Sequence, residues 1–201
     1  MNLGIFGGTF NPIHWGHLVL AETAREQLSL DRLLFIPTFR PPHKPAEALL
    51  PGRARLVLIT LAIRGNPAFA ASDLELRRRG VSYSIETVRT LRAQYPRAAL
   101  FLVIGADMAA VRWRAWDELT RLCTIVVAGR PQVAALARAR GFTPTPKSLV
   151  WGFTRLSMPL LEVSSSEIRH RLRAGRSIRY LVPPAVERYI RQHRLYRSIG
   201  H

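Results

Sequence analysis

The stretch that decides the fold is the N-terminal segment MNLGIFGGTFNPIHWGHL, residues 1–18 of the 201-residue chain. Apolar residues at positions 3, 5 and 6 predict a short buried strand, and Gly7 and Gly8 remove two Cβ atoms where we expect the backbone to turn. A backbone without Cβ atoms can bring its N–H groups close to a bound anion, most often a phosphate. The segment therefore predicts a strand that leads into a phosphate-binding loop, with a plain turn as the alternative.

Two histidines follow this loop at the start of a predicted helix. Pro12 ends the loop, and His14 and His17 lie three residues apart where the helix begins. Residues at this spacing share one helix face, and the N-terminal end of a helix favours negative charge. We therefore expect both imidazoles, as cations or as hydrogen-bond donors, to meet the oxygens of a polyphosphate. The apolar residues that predict the helix are Leu18, Ala21, Ala24 and Leu28.

A metal site is the alternative use of two nearby histidines, because imidazole nitrogen is a common zinc ligand. Such a site needs further ligands, and the sequence offers few of them. The single cysteine, Cys123, lies within an apolar run, and the other histidines are scattered along the chain at His43, His170, His193 and His201. The sequence therefore predicts no metal ion held by the protein alone.

Length and composition predict one soluble domain. The chain is 48% hydrophobic, which is enough to bury a core, and it contains no apolar run of membrane-spanning length. The N-terminus enters a strand without a basic segment or a cleavage site, and a lone cysteine fits a reducing compartment. We therefore expect residues 1–201 to form a single cytoplasmic domain, of which about residues 164–201 form a small C-terminal helical part.

The formal net charge of +17 raises the alternative of a nucleic-acid-binding protein. Nearly all of the positive charge is arginine, with lysine only at Lys44 and Lys147, and it is spread along the chain. The densest cluster, residues 169–179, is followed by one aromatic residue, Tyr180, whereas nucleic-acid interfaces combine basic residues with aromatic or helical readout. We therefore expect a solvated basic surface without a nucleic-acid or membrane partner. A homo-oligomer is compatible with the sequence.

Short apolar runs alternate with helical patterns along the chain. Four of these runs are apolar on both faces, as strands of a buried parallel sheet are. Segments of crossover length with helical periodicity lie between them. This alternation predicts an α/β fold with a doubly wound, Rossmann-like parallel sheet and helices on both faces. The predicted strands are residues 3–6, 33–37, 69–76, 100–104, 124–128 and 160–163, and the predicted helices include residues 53–63, 84–94 and 132–140.

The segments that follow these strands share one chemistry. Ligands of such sheets bind beyond the carboxyl ends of the strands. Glycine, hydroxyl and cationic residues follow nearly every predicted strand, a pattern that random loop composition would not produce. We therefore expect a single anion-binding edge. It is formed by GGTFNPIH at residues 7–14, TFRPPHK at 38–44, GAD at 105–107, GRP at 129–131 and SSSEIR at 164–169.

The segment VSSSEIR, residues 163–169, predicts the start of a C-terminal helix. Ser164 is a natural N-cap, and Glu167 three residues later completes a capping box. Capping alone is one interpretation of this segment. The other is that free backbone N–H groups, two further hydroxyls and the Arg169 guanidinium point from one helix start towards a phosphate.

Taken together, these motifs resemble the bacterial nicotinate-nucleotide adenylyltransferases of the nucleotidyltransferase superfamily. The resemblance rests on GGTFNPIHWGH, PPHK, SDLELRRRGVSYSIETV, GAD followed by tryptophans, and SSSEIR, in that order, and it runs from Gly4 to about Ile190. It implies transfer of AMP from ATP to nicotinate mononucleotide, which yields deamido-NAD and pyrophosphate in NAD biosynthesis. An adenylyltransferase that prefers nicotinamide mononucleotide or another phosphomonoester is the alternative enzyme, and a nucleic-acid-binding module on the same fold is the alternative of another class.

The resemblance also implies roles for residues on the ATP side. His14, His17 and Arg169 are the implied catalytic residues, in a reaction that needs alignment and charge neutralisation without a protein nucleophile. Mg²⁺ is expected to arrive with ATP, since the sequence has no carboxylate cluster suited to an all-protein site. The implied ATP-binding residues are Gly7, Gly8, Thr9, Phe10, His14, His17, Lys44, Ser165, Ser166 and Arg169, with Lys44 over the leaving pyrophosphate.

On the acceptor side, the resemblance implies hydroxyl donors around the pyridine carboxylate and an aromatic residue after GAD that stacks on the pyridine. Trp113 and Trp116 compete for the stacking role, and we favour Trp113 because it comes first after the turn. A Trp-x-x-Trp pair at helical spacing is otherwise typical of a helix packing face. The implied nicotinate mononucleotide-binding residues are Tyr83, Ser84, Thr87, Gly105, Asp107, Trp113 and Arg130.

Overall fold

A computed structural model describes residues 1–42, 49–105, 113–128, 153–156 and 161–196. The strands in these residues are β1 Asn2–Gly8, β2 Arg32–Pro37, β3 Phe69–Ala71, β4 Ala99–Ile104, β5 Thr124–Ala128 and β6 Phe153–Leu156. They form one sheet in the order β3-β2-β1-β4-β5-β6, and every neighbouring pair is parallel. The predicted doubly wound, Rossmann-like α/β fold is confirmed.

Helices cover both faces of this sheet. They are α1 Trp15–Gln27, α2 Gly52–Ala62, α3 Leu74–Arg78, α4 Ser84–Gln94, α5 Trp116–Leu122, α6 Ser165–Arg173 and α7 Pro184–Gln192. Alternate residues of each strand point to opposite faces, so Phe6 joins one core cluster with α1, α2, α6 and α7, whereas Ile5 joins a second cluster with α4 and α5. The C-terminal helices thus complete the first face, as the predicted C-terminal extension requires.

No helix within the described residues is long and apolar enough to cross a membrane.

Two of the predicted strands differ from the observed ones. The run at residues 69–76 divides into β3 and α3, because only residues 69–71 pair with β2 and the helix-forming residues LELRR then begin a helix behind Asp73. Residues 161–163 are not in a strand, and the sixth strand is instead β6, which pairs with β5 from Ile125 onward. The helix predicted at residues 132–140 lies outside the described residues.

The strand order fixes where a ligand can bind. β1 has β2 on one side and β4 on the other, so the chain changes direction across the sheet at β1 and β4. The loops after these two strands diverge and leave a crevice at their carboxyl ends. The loop after β1 leads directly into α1, and the backbone N–H of Trp15 donates to the carbonyl of Leu181, 3.1 Å away, so the C-terminal part also reaches this edge.

Candidate active site

The glycine pair forms the last two positions of β1 and does not form the turn that the sequence predicts. Gly7 pairs with Ile36 and Gly8 with Pro37, so the strand continues two residues further than expected. A Cβ at Gly7 would meet no atom within 4 Å, whereas a Cβ at Gly8 would lie 3.1 Å from Cζ of Phe10. Gly7 therefore leaves open space at the carboxyl edge, and Gly8 makes room for the Phe10 ring.

The turn lies one step later, and it sends one predicted ATP-binding side chain into the core. Phe10 has a φ of 45°. Its side chain is 1% exposed, and its ring centroid lies 5.3 Å from that of Phe6 and 5.0 Å from that of His17. The Phe10 ring is therefore packed beneath the loop, where it supports His17 from below. That Phe10 lines the nucleotide junction stays a prediction.

The two histidines are stacked on each other at the start of α1. His14 is the N-cap residue, and the ring centroids of His14 and His17 are 3.7 Å apart. The backbone N–H of His14 donates to Nδ1 of His17 over 3.2 Å. A neutral imidazole has one donor and one acceptor nitrogen, so this bond assigns the proton of His17 to Nε2. The far side of the His17 ring is therefore a hydrogen-bond donor.

Burial decides the charge of the other histidine. The His14 residue is 6% exposed, and burial lowers its pKa to about 4. It is therefore neutral at neutral pH, and of the two forms that the sequence allows, cation or neutral donor, the structure favours the neutral one. Gly16 permits this packing, since a Cβ there would lie 3.1 Å from both Cε1 and Nδ1 of His14.

The lowered pKa of His14 should make the free energy of unfolding depend on pH. Between about pH 4 and pH 6.5 the unfolded chain binds a proton at His14 that the folded chain does not, so acidification through this range favours unfolding. We expect the wild type to lose about 2 kcal/mol more than a His14→Asn variant between pH 7 and pH 5 in urea unfolding. Equal losses in the two proteins would contradict a buried neutral His14.

The first turn of α6 docks onto the loop after β1. Ser164 is the N-cap of α6, as predicted, and its hydroxyl accepts from the backbone N–H of Glu167 over 3.1 Å. The hydroxyl of Ser165 donates to the carbonyl of Pro12 over 2.9 Å. The two predicted phosphate motifs, which lie at opposite ends of the sequence, are therefore in direct contact.

Arg169 spans the same junction. Its Nη1 donates to the carbonyl of Asn11 over 2.8 Å, and its Nη2 donates to the hydroxyl of Ser166 over 3.2 Å. Burial is the main cause that lowers the pKa of Arg169, but a guanidinium stays charged in proteins. The structure thus places the cation beside the loop that leads to His14, and its contact with a phosphate stays a prediction.

A tyrosine from the end of the described chain completes this junction, and sequence reasoning missed it. The hydroxyl of Tyr196 donates to Oδ1 of Asn11 over 2.9 Å, and burial raises the pKa of this phenol. The backbone N–H of Leu50 donates to the same oxygen over 3.2 Å. Asn11 therefore joins the loop after β1 to two distant segments. No spacing in the sequence could indicate a contact across 185 residues.

Arg55 is a second residue that the sequence analysis missed. It lies on α2 and is 2% exposed. Its guanidinium donates to three backbone carbonyls: Nε to Leu50 over 2.9 Å, Nη1 to Thr9 over 2.8 Å and Nη2 to Thr38 over 2.7 Å. A signal does exist, because Arg55, Leu58 and Ile59 share the i, i+3, i+4 spacing of a buried helix face. An arginine at a core position of a helix indicates that its guanidinium forms specific hydrogen bonds there.

The predicted acceptor side is formed by the start of α4 and the segment before α5. Tyr83 is the N-cap residue of α4, and Ser84 is its first residue. The guanidinium carbon of Arg114 lies 4.7 Å from the centroid of the Tyr83 ring. The ring centroids of Trp113 and Trp116 are 6.4 Å apart, and both indoles are half-buried against the second core cluster. Only Trp116 belongs to α5, so the two tryptophans do not form a single helix face.

One residue of the predicted acceptor set faces the interior. Thr87 is 2% exposed, and its hydroxyl donates to Oε1 of Glu75 over 2.6 Å; burial raises the pKa of this carboxyl group. The structure therefore gives the Thr87 hydroxyl a buried hydrogen bond to Glu75, and its contact with nicotinate mononucleotide stays a prediction. Gly105 directly follows β4 at the carboxyl edge. Lys44, Asp107 and Arg130 lie outside the described residues.

In the part of the chain that the structure describes, no group of three or more His, Cys, Asp or Glu residues could hold a metal ion.

Comparisons with known proteins agree on one family. Residues 5–171 match the model of the cytidylyltransferase-like family. The chain is 46% identical to a probable nicotinate-nucleotide adenylyltransferase from Pelobacter propionicus, with 98% of each chain covered. It is 45% identical to a protein of the same description from Synechococcus sp. (strain JA-3-3Ab), with 96% of this chain and 94% of that protein covered.

Solved structures support the fold. The nicotinic acid mononucleotide adenylyltransferase of Plasmodium falciparum, solved as a complex with NaAD, superimposes with a TM-score of 0.73 over 97% of both chains. The sequence identity is 18%, so this similarity concerns the fold alone. A crystal structure described as a putative nicotinate-nucleotide adenylyltransferase from Vibrio parahaemolyticus has a TM-score of 0.64 and 22% identity over 98% of this chain and 97% of that one.

Proposed function

This chain belongs to the nicotinate-nucleotide adenylyltransferase family, and from that premise we propose that it transfers AMP from ATP to nicotinate mononucleotide, with deamido-NAD and pyrophosphate as products. The observation that carries the proposal is the stacked pair of His14 and His17 at the start of α1, directly after the open edge left by Gly7. Arg169 contacts the same loop from α6. Neutral donors, a cation and a helix start are thus gathered where a triphosphate would lie.

The chemistry requires no covalent step on the protein. A phosphate oxygen of the acceptor attacks the α-phosphorus of ATP, the new P–O bond forms, and the bond from the α-phosphorus to the pyrophosphate oxygen breaks. Negative charge then grows on the leaving oxygens, so fixed donors are the main source of rate enhancement. In this proposal Nε2 of His17 donates to the triphosphate, and Gly7, Gly8 and Thr9 let the nucleotide approach the backbone.

The α6 motif would hold ATP from the other side. In this proposal Ser165, Ser166 and Arg169 contact the phosphates, and Arg169 also keeps the loop after β1 in place through its bond to the Asn11 carbonyl. Both tasks need the same guanidinium. A planar guanidinium with five N–H donors can serve two acceptors at once, which a lysine cannot do with the same geometry.

Arg169→Ala should raise the KM for ATP by about tenfold, because it removes a charge-assisted hydrogen bond to an anion worth about 1.5 kcal/mol. The KM for nicotinate mononucleotide should change much less. Initial rates with each substrate varied in turn measure both constants. Arg176→Ala, which removes an exposed arginine beyond the end of α6, is the matched control and should leave both constants unchanged. An unchanged KM for ATP in the Arg169 variant would limit that residue to its loop contact.

The acceptor would lie beside the start of α4. We propose that Tyr83 and Ser84 surround the pyridine carboxylate and that Trp113 stacks on the ring, with Gly105 at the edge of the same crevice. Neutral donors favour a carboxylate over a carboxamide, because the amide presents its own N–H groups where the site already has donors. This preference separates the proposal from an enzyme that uses nicotinamide mononucleotide.

The experiment that tests the activity is pyrophosphate release from ATP and Mg²⁺ with nicotinate mononucleotide and nicotinamide mononucleotide in parallel. We expect kcat/KM to be at least about tenfold higher for the acid, the value of one unpaired polar contact of about 1.4 kcal/mol. Equal or better use of the amide would overturn the acid preference. If neither acceptor gives pyrophosphate release, the proposed activity is overturned.

We further propose that Mg²⁺ enters with ATP. The described groups of the site are imidazole, guanidinium and hydroxyl donors, whereas Mg²⁺ prefers carboxylate and phosphate oxygens, so the triphosphate itself fits the ion better than these side chains do. When bound there, the ion neutralises part of the charge on the leaving pyrophosphate.

Lys44 stays a predicted ATP-binding residue, and Asp107 and Arg130 stay predicted nicotinate mononucleotide-binding residues. We also propose that residues 1–201 act as one cytoplasmic nucleotidyltransferase domain without a nucleic-acid partner.

A further inference from the structure

We propose that Arg55 is a positioning residue, which fixes the separation of the loops after β1 and β2 and so aligns the groups that hold ATP. This role deepens the proposed adenylyl transfer and rests on it. Arg55 lies on α2, outside the predicted phosphate motifs in sequence, and its hydrogen bonds to Thr9, Thr38 and Leu50 run to backbone carbonyls. It is therefore distinct from the residues proposed to contact substrate.

The guanidinium continues the sheet pairing where the strands separate. The last backbone hydrogen bond between the two segments runs from the N–H of Thr38 to the carbonyl of Gly8, over 2.9 Å. At the next position the carbonyls of Thr9 and Thr38 both accept from Arg55, over 2.8 and 2.7 Å. Two carbonyl groups cannot bond to each other, so the two η nitrogens supply the missing donors. The separation of the loops after β1 and β2 is thus set by the planar guanidinium of Arg55.

The same side chain is linked to Arg169 by a chain of hydrogen bonds. Nε of Arg55 donates to the carbonyl of Leu50, and the N–H of Leu50 donates to Oδ1 of Asn11. The carbonyl of Asn11 accepts from Arg169. A displacement of Arg55 would therefore act on the loop after β1 directly at Thr9 and, through Leu50, at Asn11, which lies three residues before His14.

The energetics favour a positioning role over a stabilising one. A buried charge is costly, and an apolar residue at this position of α2 would pack beside Leu58 and Ile59 without that cost. It would, however, leave the carbonyls of Thr9, Thr38 and Leu50 without this donor, so the loops would lose their link. Burial lowers the pKa of Arg55, while Glu75 and Tyr196 favour its charge from a distance. The hydrogen bonds of Arg55 to Leu50, Thr9 and Thr38 all end on loop carbonyls, so the cation holds the loops.

Arg92 provides a matched control at the opposite edge of the sheet. It also bridges backbone carbonyls of separate segments, donating to Pro96 and Ala98 before β4 and to Leu122 at the end of α5, over 3.3, 2.7 and 2.7 Å. These carbonyls precede β4 and β5, so they lie at the amino ends of the strands, away from the crevice. A variant of Arg92 loses a similar set of bonds without touching the phosphate side.

The test compares Arg55→Lys and Arg55→Met with Arg92→Lys and Arg92→Met. Lysine keeps the charge but cannot reach several carbonyls in a planar arrangement. We expect Arg55→Lys to lower kcat by about 10- to 100-fold, because small misplacements of aligned groups have effects of this size. The Arg92 variants should keep kcat within about twofold at a temperature where all proteins are folded. If Arg55→Met does not fold, the lysine variant still decides the outcome.

A second readout separates this role from the proposed activity. Hydrogen exchange at the amides of Thr38 and Leu50 should be faster in Arg55→Lys than in the wild type and unchanged in Arg92→Lys, whatever substrate the enzyme uses. Two results would overturn the positioning role. One is a loss of kcat that is proportional to the loss of melting temperature, to the same degree in the Arg55 and the Arg92 variants. The other is an unchanged exchange rate at the amides of Thr38 and Leu50. A wild type without pyrophosphate release would overturn the activity instead, and the exchange result would still decide the role of Arg55.

Discussion

His17→Ala should lower kcat by about 10²- to 10³-fold, because removing one fixed donor to a developing negative charge typically costs about 2.7 to 4 kcal/mol of transition-state stabilisation. The donor is Nε2, since Nδ1 accepts from the backbone N–H of His14. The KM for either substrate should change much less than kcat, because the bond is strongest in the transition state. Steady-state pyrophosphate release measures both constants.

Two further substitutions separate the two nitrogens of His17. Asparagine can accept the bond from the His14 backbone through Oδ1 but has no donor at the position of Nε2, whereas the longer glutamine can place a donor there. We expect His17→Asn to keep the melting temperature and lose turnover, and His17→Gln to recover part of the turnover. Near-normal turnover in His17→Ala together with a large drop in melting temperature would show that His17 is structural.

The sequence was sufficient for the fold because the strand and helix patterns are local. Four strands apolar on both faces and helices of crossover length already predict a doubly wound sheet, and the helix at residues 84–94 has the predicted bounds. The predicted strand bounds were wrong where pairing with a neighbouring strand, and not the local sequence pattern, determines the strand. β3 ends after three residues because only those pair with β2, and the sixth strand is defined by its pairing with β5.

The candidate site was predictable where short motifs carry it. His14, His17, Ser165 and Arg169 lie on the same edge as expected, since the carboxyl ends of parallel strands and the starts of two helices meet there. The burial of the Phe10 side chain was not predictable, because a motif shows which residues are close together but not which of them faces the core.

The supporting residues could not be predicted in the same way. The bonds of Arg55 run to carbonyls up to 46 residues away, and that of Tyr196 runs to a residue 185 positions earlier. Backbone carbonyls carry no sequence signal, so the partners of a buried arginine can be identified only from the fold. The arginine itself, at a core position of α2, was the available signal.

Trp113 and Trp116 are the two candidates for stacking on the pyridine ring, and the contact of Arg114 with Tyr83 favours Trp113. The guanidinium of Arg114 lies over the ring of Tyr83, so the segment just before α5 is held beside the start of α4, where the proposed donors to the pyridine carboxylate are. Trp116 is the first residue of α5 itself, one turn further along the chain. Both indoles are half-buried, so exposure alone does not separate them.

Trp113→Ala should lower kcat/KM for nicotinate mononucleotide by about 10- to 100-fold with little change in the KM for ATP, because it removes a stacking contact of about 0.5 to 1.5 kcal/mol together with the buried area of the indole. Trp113→Phe should keep most of the activity, since a smaller ring can still stack. Trp116→Ala should instead mainly lower the melting temperature, because Trp116 is the first residue of α5 and holds the helix, as well as its own indole, against the second core cluster. Substrate kinetics and thermal unfolding of the three variants decide between the indoles: a selective acceptor defect in the Trp116 variant, with normal kinetics in Trp113→Ala, would assign the stacking role to Trp116.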